Sequence, residues 1–183
     1  MTHVMKNTYD LCLNDEERDV FKIPEFLQKM LDQKLLGNKT KAGFYKKEVT
    51  PDWKKVKKVI DWKTGEYVVA DKATFPCIDV AKKAKTLPEK LRAVLYGDDK
   101  GAKFAWKVQA SAFIYAANRI PEISDTVVEI DNAMKWGYNF EMGPFETWDA
   151  IGVKESVEKM EKDGYKVPEK VKKMLAKGAT SFY

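Results

Sequence analysis

The chain has 183 residues, of which 44% are hydrophobic and 33% charged, and it carries a formal net charge of +5 at pH 7. This length and balance fit one soluble globular domain, or two small ones, with a buried core. No window approaches 18 consecutive apolar residues and the N-terminus lacks the pattern of a secretory signal, so we expect neither a membrane span nor export.

The first predicted element is a helix over residues 15–35. Pro24 suits a first helical turn, and Gly37 is expected to cap the end of the helix. Residues 38–47 are expected to follow as an irregular segment. The helix prediction rests on an apolar stripe at helical spacing, formed by Phe26, Leu27, Met30 and Leu31.

Residues 48–75 have a different character. Two β-prone runs flank Lys63-Thr64-Gly65 in the stretch VKKVIDWKTGEYVV, a pattern typical of a short hairpin. Because two strands alone are marginally stable, we expect a linker that carries its own small ribbon.

The helical period returns near Pro76, and the rest of the chain is predicted to be helical. Gly164 and Gly178 are expected to end the last two helices. The predicted helices are 77–84, 88–96, 100–119, 121–136, 144–151, 153–163 and 168–177. The fold is therefore predicted to be mainly α, with one hairpin insertion.

One internal echo links the two ends of the chain. PEFLQKML at residues 24–31 and PEKVKKML at residues 168–175 share Pro, Glu, Lys, Met and Leu in register. Each is followed by a segment containing glycine and then by Phe-Tyr, at 44–45 and at 182–183. The shared ending favours a duplicated helical unit over chance, with the first copy incomplete.

Few residues carry obvious chemistry. His3 is the only histidine, so a cluster of histidine ligands is excluded and a Ser-His-Asp triad would have to use His3. Cys12 and Cys77 lack the spacing of a metal site and favour a reduced, cytoplasmic setting. The carboxylates of residues 149–163 are expected on a solvated helix face rather than as an acid–base pair.

Phosphate loops and nucleic-acid sites are likewise not expected. Neither GxGxxG nor GxxxxGK[ST] occurs, and GDDKGAKFAWK at residues 97–107 follows a predicted helix rather than the strand that a phosphate loop requires. Lysine-rich runs such as KKVKK at 54–58 are typical of the solvated faces of amphipathic elements. Nucleic acid is therefore not an expected partner, whereas an acidic small ligand fits the net charge.

The stretch AMKWGYNFEMGPFETWDAIG, residues 133–152, crowds glycine, proline and aromatic residues together. Gly137 is expected to cap the preceding helix in a left-handed conformation, and Gly143-Pro144 to begin the next helix. Phe145 and Trp148 are three positions apart, so they share a face that can pack into the preceding helix. The pattern favours a tight corner between helices over the alternative, a ligand pocket.

Residues 113–152 resemble the helical C-terminal domain of 3-hydroxyacyl-CoA dehydrogenases. That family's pattern runs from a Phe-Ile-x-Asn-Arg-like helix, through an acidic helix ending in Ala-Met-x-x-Gly, to Met-Gly-Pro-Phe-Glu-x-x-Asp-x-x-Gly. The matching residues are Phe113, Asn118, Arg119, Asp131, Ala133, Met134, Gly137, Met142, Gly143, Pro144, Phe145, Glu146, Asp149 and Gly152. Residues 36–47 are similar to the Lys-Thr-Gly-x-Gly-Phe-Tyr segment that closes such a domain, with Lys41 in place of the first glycine.

The resemblance implies a helical bundle of the 6-phosphogluconate dehydrogenase C-terminal-like type, with the hairpin as a small insertion. It points to the long, multifunctional β-oxidation proteins that carry this helical domain twice, which would explain the echo. Residues 1–47 would then be the remainder of the first helical repeat, 48–75 the linker, and 76–183 the second repeat.

The family oxidises a 3-hydroxyacyl-CoA to a 3-ketoacyl-CoA and passes hydride to NAD. Its base, a histidine oriented by a glutamate, lies on the Rossmann nucleotide-binding domain together with the glycine-rich fingerprint, and none of that domain is in this sequence. Asn118 matches an asparagine that the family contributes to its active site, but it lies in the second repeat, where the active site is usually not built.

The resemblance thus implies a portion of an oxidoreductase that is not catalytic alone. It would support the substrate cleft and supply (pseudo)dimer packing, with the parent enzyme's Rossmann domain and acyl-CoA substrate as partners and NAD bound by the parent. An acyl-CoA-binding module and an assembly module that forms homo-oligomers are the alternatives. Asn118 aside, no catalytic, cofactor-binding or metal-binding residue is assigned in this chain.

Overall fold

The computed structural model describes residues 2–183, which divide into two compact units, residues 2–72 and 73–183. Helices dominate the described residues, and a three-stranded antiparallel sheet lies in the first unit. The prediction of a mainly α fold with a small β insertion is therefore confirmed. No helix among the described residues is long and apolar enough to cross a membrane.

The first unit contains two short helices and the sheet. Helix α1 spans Thr2–Leu11 and α2 spans Glu25–Asp32, while strands β1, β2 and β3 span Tyr45–Val49, Lys55–Ile60 and Tyr67–Val69. Helix α1 has no counterpart among the predicted elements. It buries none of its residues.

The predicted helix over residues 15–35 is wrong in its first half. Residues Arg18–Phe21 form only a 3₁₀ turn, and α2 begins at Glu25, directly after Pro24. Proline lacks a backbone N–H and disfavours helical backbone in the residue before it, so a helix does not continue through Pro24.

Gly37 does not cap α2, contrary to the prediction. The helix ends at Asp32 because Lys34 takes a left-handed conformation (φ 58°), and the Leu35 N–H then donates to the Met30 carbonyl at 2.8 Å. This is a Schellman ending, with lysine in the position that glycine usually holds.

The predicted hairpin around Lys63-Thr64-Gly65 is confirmed, because β2 and β3 pair antiparallel across this turn. The sheet also has a third strand, although residues 38–47 are predicted to be irregular. Strand β1 pairs with β2 from Tyr45↔Val59 to Val49↔Lys55. Pairing with β2 thus makes the end of the segment 38–47 regular. The periodicity of a single sequence does not reveal such pairing.

The second unit is built from the remaining seven helices of the described chain. They are α3 (Pro76–Lys83), α4 (Leu87–Leu95), α5 (Lys100–Asn118), α6 (Val127–Tyr138), α7 (Pro144–Ile151), α8 (Val153–Lys162) and α9 (Glu169–Ala176). All but α6 match the predicted bounds to within one residue. Gly164 and Gly178 follow the last two helices with φ of 85° and 86°, as predicted.

Helix α6 begins at Val127, six residues later than predicted. The Ser124 hydroxyl donates to the Thr126 carbonyl at 3.1 Å, and the Thr126 backbone is extended. Such local side-chain bonds compete with helix formation. Ile123, which falls within the predicted bounds 121–136, therefore lies outside the helix and is exposed.

The core of the second unit centres on the contact between α5 and α7. Trp148 is fully buried and stacks on Phe113, with ring centroids 4.8 Å apart. The Trp148 indole N–H donates to the Ser156 hydroxyl at 2.5 Å, and that hydroxyl donates to the Val153 carbonyl at 2.8 Å. A buried indole that is also hydrogen-bonded at its edge fixes α7 against both α5 and α8.

Replacing Trp148 with alanine is expected to lower the free energy of unfolding by about 3–5 kcal/mol, because removal of a large buried side chain leaves a cavity. Trp136 in the same stretch is 80% exposed. Trp136→Ala is therefore the matched control, with an expected change below about 0.5 kcal/mol. Denaturant unfolding followed by circular dichroism measures both variants, and equal losses would contradict the packing of Trp148.

Candidate functional site

The stretch from α6 to α7 forms a corner whose centre is the carboxylate of Asp131. Asp131 lies within α6 and is fully buried. Its two carboxylate oxygens accept the backbone N–H of Phe145 at 2.8 Å and of Glu146 at 2.9 Å. These N–H groups belong to the first turn of α7, where a helix offers them no internal partner. The α6–α7 corner comprises Asp131, Lys135, Gly143, Phe145, Glu146, Trp148, Asp149, Phe182 and Tyr183.

Asp131 therefore caps a helix other than its own. The N-terminus of a helix carries partial positive charge, which stabilises a carboxylate placed there. The Tyr183 hydroxyl supplies a third bond to this carboxylate at 2.9 Å. Burial of the hydroxyl, and then its bond to Asp131, raise the pKa of Tyr183. Three donors satisfy a buried charge that would otherwise be costly.

Gly143 allows α6 and α7 to approach this closely. A Cβ atom on residue 143 would lie 2.4 Å from the Cα, Cβ and Cγ atoms of Asp131. Its backbone has φ −75°, so glycine is required for space rather than for a left-handed conformation. The Gly143 N–H donates to Glu146 at 2.9 Å, and the Lys135 ammonium, 2.5 Å from the same carboxylate, lowers the pKa of Glu146.

The predicted role of Gly137 is wrong, whereas the predicted start of α7 at Gly143-Pro144 is confirmed. Gly137 lies inside α6, and the left-handed residue that ends the helix is Asn139, with φ 57°. Asparagine tolerates this conformation because its short polar side chain bonds locally. A Cβ atom on residue 137 would meet no atom within 4 Å.

The C-terminal residues close the corner. The Phe182 ring lies 4.8 Å from the Phe145 ring and 5.2 Å from the Trp148 ring, measured between centroids. Asp149 accepts the backbone N–H of Phe182 at 2.9 Å and of Tyr183 at 3.2 Å, and burial raises the pKa of Asp149. Phe145 and Trp148 thus share a buried face as predicted, but their ring partners lie on α5 and at the C-terminus rather than on α6.

Apart from Asp149, the other residues considered from the sequence lie outside this corner. Asn118 is the exposed last residue of α5, and His3 is exposed on α1 with its ring nitrogen 3.3 Å from the Asn7 amide. The prediction that residues 149–163 form a solvated acidic face is wrong for Asp149. Asp163 also has a partner, the indole N–H of Trp106 at 2.7 Å.

Residues 97–107 follow a helix, α4, rather than a strand, as predicted, and they include the start of α5, whose N-terminus is already occupied. The Asp99 carboxylate accepts the backbone N–H of Gly101 at 2.8 Å and of Ala102 at 3.0 Å, as well as that of Cys77 at 2.6 Å. A nucleotide phosphate would have to displace a carboxylate that makes the same kind of bonds.

The cavity beside the corner is small. It measures 170 Å³ and is lined mainly by apolar side chains, including Phe145 and Phe182, with Lys170 among them. Pockets that hold small-molecule ligands measure about 300–1,000 Å³. The corner interpretation of residues 133–152 is therefore favoured over a ligand pocket. A larger cavity of 610 Å³ lies in the first unit, between α2 and the β2–β3 turn, and is lined by Phe26 and Trp62.

Sequence reasoning missed the roles of Asp131 and Tyr183. Asp131 matches the family pattern, but its capping bond joins residues 14 and 15 positions apart, which no local rule connects. The available signal is its position four residues after Val127 and three before Met134, which places it on the apolar side of a helix. An aspartate there predicts a buried charge that needs donors.

Gly143→Ala is expected to destabilise the second unit by at least about 1–3 kcal/mol, because the added methyl group overlaps Asp131 and forces the helices apart. Gly137→Ala is the matched control, since space is open there and alanine favours helix by up to about 1 kcal/mol. Thermal unfolding should give a lowered Tm for the first variant and an unchanged or raised Tm for the second. The reverse order would contradict the close approach at Gly143.

Known proteins are similar in sequence to this chain. Residues 104–180 match the family described as 3-hydroxyacyl-CoA dehydrogenase, C-terminal domain. A Bacillus subtilis (strain 168) protein named "Probable 3-hydroxyacyl-CoA dehydrogenase" is 41% identical over 181 residues, which is 99% of this chain and 22% of that protein. The Rickettsia felis protein named "Putative fatty acid oxidation complex trifunctional enzyme" is 30% identical over 136 residues, 74% of this chain and 17% of that protein.

The chain thus spans about a fifth of the length of these relatives. No solved structure gives a significant match. The resemblance stated from residues 113–152 is confirmed by the family match and by the Bacillus relative. Residues 104–180 therefore form a domain of the family described as 3-hydroxyacyl-CoA dehydrogenase, C-terminal domain.

Proposed function

We propose that this chain is the C-terminal helical portion of an NAD-dependent 3-hydroxyacyl-CoA dehydrogenase of fatty-acid β-oxidation, and that it is not catalytic alone. Its part in the enzyme is to support the substrate cleft and to provide (pseudo)dimer packing. The name of the Rickettsia relative, a fatty acid oxidation complex trifunctional enzyme, supports the assignment to β-oxidation. A cytoplasmic setting fits the two free cysteines, Cys12 and Cys77.

The observation that carries this proposal is that the carboxylates of the family signature are bound to other groups of the protein in the α6–α7 corner. The carboxylate of Asp131 is engaged with three donors, Glu146 pairs with Lys135, and Asp149 binds two backbone N–H groups. Groups that already satisfy one another in a packed joint are poor acids and bases for a substrate. Their arrangement suits a rigid support.

Besides a supporting domain, the reaction requires a base and a bound nicotinamide. A base must take the proton of the 3-hydroxyl group while hydride leaves the same carbon for the nicotinamide of NAD. In this chain, His3 lies on α1 against Asn7, and the N-terminus of α5 is capped by Asp99. We therefore assign base and NAD to the Rossmann domain of the parent enzyme.

A second candidate function is an acyl-CoA-binding module. A cleft of 310 Å³ in the second unit is lined by Lys103, Lys107 and Lys159 around the Trp106 indole, with Asp98 and Asp163 opposing part of this charge. Ammonium groups beside an aromatic ring suit the phosphates and the adenine of CoA. Calorimetric titration with acetoacetyl-CoA separates the candidates, since only the binding module gives heat that is lost in a Lys103→Ala, Lys107→Ala variant.

The purified chain is expected to form no NADH from 3-hydroxybutyryl-CoA and NAD, because our proposal assigns the base and the nicotinamide site to another part of the parent enzyme. Absorbance at 340 nm measures this. The control is a longer protein that also contains the upstream nucleotide-binding region, which should form NADH under the same conditions. A rate that co-purifies with the chain alone would contradict the proposal.

A further inference from the structure

The lysine-rich run at residues 54–58 is divided between the two faces of the sheet in the first unit. Successive side chains of a strand point to opposite faces, so Lys55 and Lys57 share one face of β2 and Lys58 lies on the other. Lys47 of β1 is directly opposite Lys57 and joins the first of these faces. We call this face the basic face, and it comprises Tyr45, Lys47, Val49, Lys55, Lys57, Val59 and Val68.

The charges of the other face are balanced. Lys46 and Lys58 are directly opposite each other there, and the carboxylate oxygens of Glu48 lie 2.8 and 2.5 Å from their ammonium nitrogens. Hydrogen bonds from these two ammonium groups, that of Lys46 first, lower the pKa of Glu48 to about 2. A pair of like charges that would otherwise repel across the strands is thus bridged by an acid.

The basic face has no such acid. It contains no acidic residue, and none of its three lysines forms an ion pair with another described residue. Residues 45–60 contain six lysines against two acidic residues, Glu48 and Asp52, and so carry most of the chain's net charge of +5. Like charges directly opposite each other destabilise a sheet, and an anionic partner would remove this repulsion.

Apolar side chains separate the lysines of the basic face. Tyr45 and Val49 flank Lys47 along β1, and both are exposed, as is Val68 on β3. The Lys57 ammonium lies 3.9 Å from the centre of the Tyr45 ring. The solvated face of an antiparallel sheet is normally polar. The mixture of exposed apolar groups and unpaired lysines therefore indicates a surface that binds a partner.

The turn between β1 and β2 holds one more exposed ring. Trp53 is 88% exposed, and its backbone has φ 60°, in the left-handed region that bulky residues rarely adopt. The Trp53 N–H donates to the Thr50 carbonyl at 2.9 Å, which fixes the turn. An indole ring is thus kept in water by a strained backbone. Strained residues and exposed apolar groups are both found at interaction sites.

We propose that the basic face and Trp53 bind the surface of a membrane that contains anionic phospholipid. The three lysines contact the anionic headgroups, and the indole ring of Trp53 enters the boundary between headgroups and acyl chains. The valines and Tyr45 exclude water between the lysines. Contact of this kind needs no segment that crosses the membrane.

The open shape of the basic face favours a lipid surface over a small anion. Small ligands bind in concave sites, and the larger cavity of the first unit is lined by no residue of the basic face. A layer of headgroups is broad and anionic, and tryptophan is enriched at its boundary. A single-stranded nucleic acid would need free rings on which bases stack. The Tyr45 ring is instead covered by Lys57, and Trp53 lies beyond the strands.

Co-sedimentation of the full chain with lipid vesicles tests this proposal. The chain should sediment with vesicles of phosphatidylserine and phosphatidylcholine, and not with vesicles of phosphatidylcholine alone. Raising NaCl from about 0.1 M to about 1 M should release most of the chain, because the Debye length falls from about 10 Å to about 3 Å.

A variant that carries Lys47→Gln, Lys55→Gln and Lys57→Gln should bind the anionic vesicles about a hundredfold more weakly, since each lysine at such a surface contributes a factor of about five. Its Tm should be unchanged or raised, because the substitutions remove a repulsive pair. The matched control removes the same charge from exposed lysines of the second unit and should weaken binding less than about fivefold. Its substitutions are Lys154→Gln, Lys162→Gln and Lys166→Gln.

Trp53→Gly tests the contribution of the ring. Glycine adopts the left-handed conformation freely, so Tm should be unchanged or raised. Binding to the anionic vesicles should weaken by about tenfold or more, because a large apolar side chain no longer leaves water. Trp136→Ala removes another exposed indole, one in the second unit, and should leave binding unchanged.

Three results would overturn the proposal. They are no sedimentation with the anionic vesicles, equal sedimentation with phosphatidylcholine alone, and a Lys47, Lys55, Lys57 variant that binds as tightly as its control. Tighter binding to a single-stranded oligothymidylate than to the vesicles would identify a nucleic acid as the partner and would also overturn it. NADH formation by the longer protein is measured without vesicles, so membrane binding and the proposed function can fail separately.

Discussion

The second unit depends on one buried charge, the carboxylate of Asp131. Moving a carboxylate out of water is costly unless hydrogen-bond donors replace the lost solvent. The first turn of α7 offers two such donors, and Tyr183 offers a third. Each partner gains as well, since the N–H groups at the start of a helix otherwise lack acceptors. The bond therefore sets where α7 begins and how it lies against α6.

Other features of the corner follow from this constraint. Residue 143 must be glycine because the backbone of α7 lies against Asp131 itself. The C-terminal residues must return to the corner because one of the three donors is the hydroxyl of Tyr183. Trp148 is then carried onto Phe113, and the packing of α5, α7 and α8 is fixed. The residues of the family signature thus form a packed contact between helices, and their polar groups hold those helices together.

Apolar periodicity and the positions of proline and glycine predicted most of the second unit, because most of its helices begin beside a proline or end before a glycine. The failures have local physical causes. A turn made by Ser124 shifts the start of α6 to a later residue. Asn139 rather than Gly137 takes the left-handed conformation that ends α6, and Lys34 rather than Gly37 takes it after α2. The corner could be placed from the sequence, but its central bond could not. Asp131 meets α7 and Tyr183 only after α6, α7 and the C-terminus have come together, so no spacing rule points to it.

The most direct test of this account is the free energy of unfolding of Asp131→Asn. The substitution keeps the shape of the side chain but replaces one accepting oxygen by an amide that faces N–H donors of α7. We expect a loss of about 2–4 kcal/mol, from the charged hydrogen bonds and the interaction with the helix N-terminus. A loss below about 0.5 kcal/mol, the size expected for an ordinary surface substitution, would contradict the central role of this carboxylate.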